Sequence, residues 1–142
     1  NTAAYNNLDI YQINCTYYSA LGNDDQAYLL ARAIQFFAPG IPQVYYVGAL
    51  AGANDIERLE ATKQGRDINR HAYTLSEIAA ETQRPVVQKL LELMRLRNTH
   101  PAFDGVCETA LEGENGLVIT RTNGERRLTL RADLKTHAFT ID

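Results

Sequence analysis

The sequence predicts an α/β unit followed by a small antiparallel β domain, with the boundary near residue 104. Three observations carry this reading. An amphipathic pattern over residues 23–37 ends at Ala38-Pro39-Gly40 and gives way to a short β-rich run at 43–47, the helix, break and covered strand of an α/β unit. A second helical pattern opens at Pro85 and runs to Arg97. Beyond Gly105 the texture changes to short alternating runs separated by glycine-containing turns.

Taken in order, residues 1–22 are polar and aromatic-rich with little helical periodicity, and read as a loop with one short helical turn near 17–21. Asn23, Asp24 and Asp25 supply cap and dipole residues for the helix through Phe37, whose Ala27, Leu30, Ala31, Ile34 and Phe37 share one face. The run Gln43-Val44-Tyr45-Tyr46-Val47 lacks polar alternation, as expected of a strand covered on both faces, and Tyr45 and Tyr46 read as strand packing rather than a stacking platform. A long connection over 48–71 holds one short helical candidate, 55–62, and connections this long inside compact domains carry function or lack order. Thr74 and Glu77 form a capping box for a helix to about Glu81. From Pro85, Val87, Leu90, Leu91 and Met94 line one helix face until His100-Pro101 stops it. Residues 108–111, 117–122, the alternating Leu128, Leu130 and Ala132, and 138–141 then predict three or four antiparallel strands.

At 142 residues, with 45% hydrophobic and 22% charged residues, the composition is that of a globular protein of one ordinary or two small domains. A net charge of −3 argues against a nucleic-acid or anionic-membrane surface. No apolar run reaches the roughly 18 to 20 residues of a membrane span, and the cytoplasm is the expected location. Cys15 and Cys107 lie far apart without metal-ligand spacing and read as free thiols. The chain opens without Met and reads as part of a longer polypeptide.

The densest polar stretch is Gly65-Arg66-Asp67-Ile68-Asn69-Arg70-His71, with three ionic side chains, an amide and an imidazole in seven residues. A ligand site needs such convergence, although a solvated charged loop has the same composition. A second candidate is Asp9-Ile10-Tyr11-Gln12, where Asp9 and Gln12 can hydrogen-bond a polyol while Tyr11 stacks on an apolar sugar face. It reads equally as an ordinary ordered loop.

Together these segments resemble the C-terminal part of the sucrose phosphorylase family, in the α-amylase superfamily. The resemblance rests on Leu8-Asp9-Ile10-Tyr11-Gln12 with Asn14, Thr16, Tyr17 and Tyr18; on Ala31-Arg32-Ala33-Ile34-Gln35-Phe36-Phe37 followed by Pro39 to Gly48; and on Gly65 to His71. Arg84-Pro85-Val86-Val87 and the stretch from Arg97-Asn98 through Gly105 extend it. It covers residues 5–105 strongly and the terminal sheet weakly.

The resemblance implies the last part of a (β/α)8 barrel followed by a C-terminal β domain. Residues 1–22 would end an inserted loop domain, 23–104 would complete the barrel, and 105–142 would form the β domain. The implied reaction is retaining phosphorolysis of an α-glucoside to α-glucose 1-phosphate, with saccharide and inorganic phosphate as small-molecule partners and no cofactor or metal. The implied catalytic carboxylates precede residue 1, so no Asp or Glu of this chain takes their place. Asp24, Asp25 and Asp55 read as helix caps and Asp67 as an ion-pair partner. Arg66 matches an arginine that holds the bound glucosyl unit away from its reacting carbon. Asp9, Ile10, Tyr11 and Gln12 match a loop that alternates between accepting the leaving sugar and accepting phosphate. His71, His100 and His137 read as structural. A non-catalytic sugar-binding or interaction module of the same ancestry is the rival expectation.

Overall fold

The computed structural model describes residues 13–142, so the expectations for Asp9, Ile10, Tyr11 and Gln12 lie outside the described residues. The chain divides into two compact units, residues up to 25 with 44–87, and residues 26–43 with 88–142. Among the described residues the elements are α1 (Tyr17–Ala20), α2 (Asp25–Phe37), α3 (Tyr46–Ala49), α4 (Ile56–Thr62), α5 (Leu75–Glu81) and α6 (Pro85–Thr99), then β1 (Val106–Glu112), β2 (Gly116–Asn123), β3 (Arg126–Asp133) and β4 (Phe139–Ile141). Two single-turn 3₁₀ segments, Gly65–Asn69 and Pro101–Asp104, complete the set.

In the second unit the four strands form one antiparallel sheet in sequence order, β1-β2-β3-β4. Asn123 pairs with Arg126, leaving Gly124 and Glu125 as a two-residue turn. Gly124 has φ of +58°, and a positive φ at the first central position is what a type II′ hairpin requires. Alternation then sends Ile119, Leu128 and Leu130 into a core with Ala33, Phe37, Ala102 and Phe103. The Phe37 and Phe103 rings meet edge to face with centroids 5.1 Å apart. Arg121, only 5% exposed, donates to the carbonyls of Phe103 and Gly105 and so satisfies backbone oxygens at the base of the sheet. Gly105 is required there, because a Cβ would lie 1.9 Å from the Thr122 carbonyl oxygen.

Among the described residues the first unit contains caps and cross-ties and no strand element. Thr16 caps α1 by accepting from Ser19 N–H at 3.1 Å. Asn54 then fastens this turn to the long connection, its Oδ1 accepting from Thr16 N–H at 2.7 Å and its N–H donating to Ser19 Oγ at 2.9 Å. The α5 start is a full capping box between Thr74 and Glu77. At Gly52 a Cβ would lie 2.2 Å from the Tyr73 hydroxyl and 2.7 Å from Val47 Cγ1, so only glycine lets these two side chains meet the backbone.

The expected strand at 43–47 is absent. Residues 41–45 have no regular structure, and Tyr46–Ala49 forms a helical turn with Tyr45 as its N-cap. A covered strand is fixed by ladders on its flanks, and among the described residues no strand pairs with this run. A five-residue apolar run has no periodicity that separates strand from buried helix. Tyr45 and Tyr46, expected as strand packing, are instead 54% and 45% exposed, with ring centroids 4.6 Å apart.

Leu130 is fully buried in the sheet core whereas Leu111 is 79% exposed. Leu130→Ala is therefore expected to lower unfolding free energy by about 2–5 kcal/mol and Leu111→Ala by less than about 0.5 kcal/mol. Urea denaturation followed by circular dichroism checks this, and equal shifts for the two variants would contradict the assignment of the core.

Candidate functional site

Arg66 lies on the 3₁₀ segment Gly65–Asn69. It is exposed, and among the described residues no carboxylate pairs with it. The three residues that follow it are each tied to another segment. Asp55 N–H donates to the Ile68 carbonyl at 2.7 Å, joining the start of α4 to the middle of the 3₁₀ turn. Arg58 Nε stands 3.7 Å from Asp67 Oδ2, an ion pair without a hydrogen bond. Asn69 Nδ2 donates to the Cys15 carbonyl at 3.4 Å. The Arg66 turn is thus anchored to the segment that follows directly on residues 9–12.

The clamp that closes this connection is Asp55 with His71. Asp55 caps α4, Oδ1 accepting from Arg58 N–H at 2.8 Å, while Oδ2 faces His71 Nδ1 at 2.5 Å. The other imidazole nitrogen, Nε2, lies 3.3 Å from Glu77 Oε1. Glu77 is itself held by the Thr74 backbone N–H and hydroxyl. Tyr46 donates its hydroxyl to the His71 carbonyl at 2.8 Å, and the Tyr73 ring meets the imidazole edge to face at 4.5 Å. With carboxylates at both nitrogens, the geometry suits an imidazolium that donates twice.

The electrostatics follow from these contacts. The hydrogen bond to Asp55 raises the His71 pKa above the ordinary 6.5, burial opposes the shift, and Glu77 adds to it. Burial pushes the Asp55 carboxyl up, but the Arg58 backbone N–H and His71 outweigh it and hold the group below its ordinary 3.8. The Thr74 backbone N–H, then its hydroxyl, hold Glu77 below its usual range.

Beside this clamp is an open cavity of about 400 Å³ with Asn54, Asp55, Glu57, His71, Tyr73, Glu81 and Arg84 among its walls. Arg84 is fixed over the Tyr18 ring and bound to Glu81 at 2.6 Å. No group of three or more His, Cys, Asp or Glu among the described residues is arranged to hold a metal ion.

Of the sequence candidates, Asp67 pairs with Arg58 and Arg66 stays exposed, while Asp55, which the sequence marks only as a cap, is bonded to the same turn at Ile68. His71, read as structural, is the residue that joins α4 to α5. The pairing spans 16 residues, and no local periodicity signals a contact at that separation. The polar density of 65–71 was the one available cue. His100 and His137 stand outside this cluster, and His100 Nδ1 accepts from Ala102 N–H at 3.2 Å as a cap.

No family model matches the chain. Individual sequences do: it is 58% identical over 142 residues to a sucrose phosphorylase of Streptococcus mutans, covering 99% of this chain and 30% of that protein. It is 55% identical over 135 residues to a sucrose 6(F)-phosphate phosphorylase of Thermoanaerobacterium thermosaccharolyticum, covering 95% of this chain and 28% of the relative. The crystal structure of sucrose 6F-phosphate phosphorylase from Thermoanaerobacter thermosaccharolyticum superposes with a TM-score of 0.90 at 56% identity, covering 92% of this chain and 27% of that one. The class is therefore that of the carbohydrate phosphorylases. More closely, the chain belongs to the sucrose phosphorylase family, whose C-terminal portion it matches, and it spans about 30% of the length of these relatives.

Opposite shifts at Asp55 and His71 set the pH window of the clamp. His71, raised on folding, contributes stability that is complete below its unfolded value of 6.5 and is lost as pH rises through its folded value. Asp55, lowered on folding, contributes stability present above 3.8 and lost as pH falls through its folded value. The pair is strongest between those two unfolded values. NMR titration is expected to place His71 above 6.5, and Asp55→Asn to return it toward 6.5 with a loss of about 0.5–1 kcal/mol near pH 5.5. A His71 that titrates at or below 6.5 in the native protein would contradict the clamp.

Proposed function

We propose that the chain is the C-terminal portion of a retaining α-glucosyl phosphorylase that converts an α-glucoside and phosphate to α-glucose 1-phosphate. Its role there is binding. Arg66 holds the glucosyl unit through its guanidinium fork, and Asp9, Ile10, Tyr11 and Gln12 contact the leaving sugar and the incoming phosphate. The nucleophilic carboxylate and the acid/base carboxyl belong to the part of the protein that precedes Asn1, and the isolated chain is inactive. In this reading residues 23–104 complete a (β/α)8 barrel, 1–22 end its inserted loop domain and 105–142 form the C-terminal β domain of a cytoplasmic enzyme.

The observation that carries the reading is the identity of 58% across 99% of the chain. The geometry supports it: Arg66 is exposed on a turn fastened at Ile68, Asp67 and Asn69, and a fastened turn limits where its arginine can reach. Closing such a site excludes water, which lets phosphate rather than water resolve the glucosyl-enzyme.

The test is phosphate-dependent release of glucose 1-phosphate by the full-length protein from sucrose, sucrose 6′-phosphate and glucosylglycerate. Release from one of them is expected, and Arg66→Ala is expected to cut kcat/KM by about 100-fold or more, as loss of a charged hydrogen-bonding group does. No release from any donor, or full activity in Arg66→Ala, would contradict the reading; saccharide binding without turnover would identify a binding module.

A further inference from the structure

We infer that His71 is a positioning residue for Arg66, acting through Asp55 to hold the 3₁₀ turn Gly65–Asn69 in its binding geometry. The inference rests on the proposed role of Arg66 in holding the glucosyl unit.

The argument is one of constraint. Arg66 itself is exposed, so the backbone turn that carries it sets where the side chain starts. The Asp55 N–H donates to the Ile68 carbonyl of that backbone at 2.7 Å. Asp55 also caps α4 through Arg58 N–H, and Arg58 reaches back to Asp67. A residue at a helix cap with one free carboxylate oxygen can pivot about its own backbone. His71 removes that freedom by taking Oδ2 at 2.5 Å, and it is fixed in turn by Glu77 on α5 and by the Tyr46 hydroxyl at its carbonyl. The turn that presents Arg66 is therefore closed at both ends, by Asp55 before it and His71 after it.

This clamp depends on charge. His71 contacts Asp55 at the start of α4 and Glu77 on α5, the Tyr73 ring packs on the imidazole, and Glu57, Arg58, Glu81 and Arg84 line the cavities beside it. The two carboxylates at its nitrogens favour the imidazolium, which alone can donate from both. As the imidazolium loses its proton, one of its two hydrogen bonds is lost and the other loses its charge, so the hold on Asp55 weakens. Binding of the glucosyl donor then weakens on the alkaline side without any change at the reacting carbon.

The experiment uses the full-length enzyme, with His71→Ala and the milder His71→Gln. In His71→Ala the KM for the donor is expected to rise about tenfold or more while kcat falls much less, the split expected when ground-state and transition-state binding weaken together. His71→Gln is expected to retain part of the wild-type affinity, and the alkaline limb of wild-type kcat/KM assigned to this histidine to disappear in both variants. Hydrogen exchange at the amides of 65–69 is read alongside and is expected to speed up in His71→Ala. Unchanged KM, an unchanged alkaline limb and unchanged exchange would overturn the inference. If no donor is turned over by the wild type, the functional reading fails; the exchange measurement still decides whether His71 holds the turn, and unchanged exchange there overturns the clamp as well.

Discussion

The first unit depends on what one aspartate does with three of its atoms. Asp55 gives its N–H to Ile68, one carboxylate oxygen to the start of α4, and the other to His71. A connection from Gly48 to His71 has little buried apolar area of its own, and α4 and α5 contain no buried residue. Its order must come from polar ties that reward closure of the loop, and charge-assisted hydrogen bonds are the stronger kind. An asparagine could keep the cap on α4 but not the charge that holds the imidazolium. The second unit rests on the opposite principle, with a hairpin sheet packed on Phe37 and Phe103 and its stability in apolar burial.

That contrast explains what was legible in the sequence. Local chemistry announced itself: Pro85 opens α6, Thr74 and Glu77 form their box, Asp55 caps α4, and the turns at Gly113 and Gly124 divide β1, β2 and β3. Each of these is decided by residues within four positions of one another. The run at 43–47 was misread because an apolar pentapeptide encodes burial and not its period. Val47 is indeed buried, but on a helical turn, with Tyr45 and Tyr46 outside.

The candidate site was legible in part for the same reason. Charge density singled out 65–71, and Asp67, read as an ion-pair partner, has Arg58 at 3.7 Å. The partner of His71 could not be read, because the Asp55 contact exists only once the intervening connection has folded. The family resemblance suggested a role for Arg66, and the structure adds the ties that hold the turn carrying it. The chain spans less than a third of the length of these relatives.

The most direct test of this account is a double-mutant cycle between Asp55→Asn and His71→Gln, read as unfolding free energy near pH 5.5 and near pH 9.5. A charge-dependent clamp predicts a coupling of about 0.5–1 kcal/mol at the lower pH that shrinks toward zero at the higher one. Additivity at both pH values would show that the two side chains are neighbours without being a clamp.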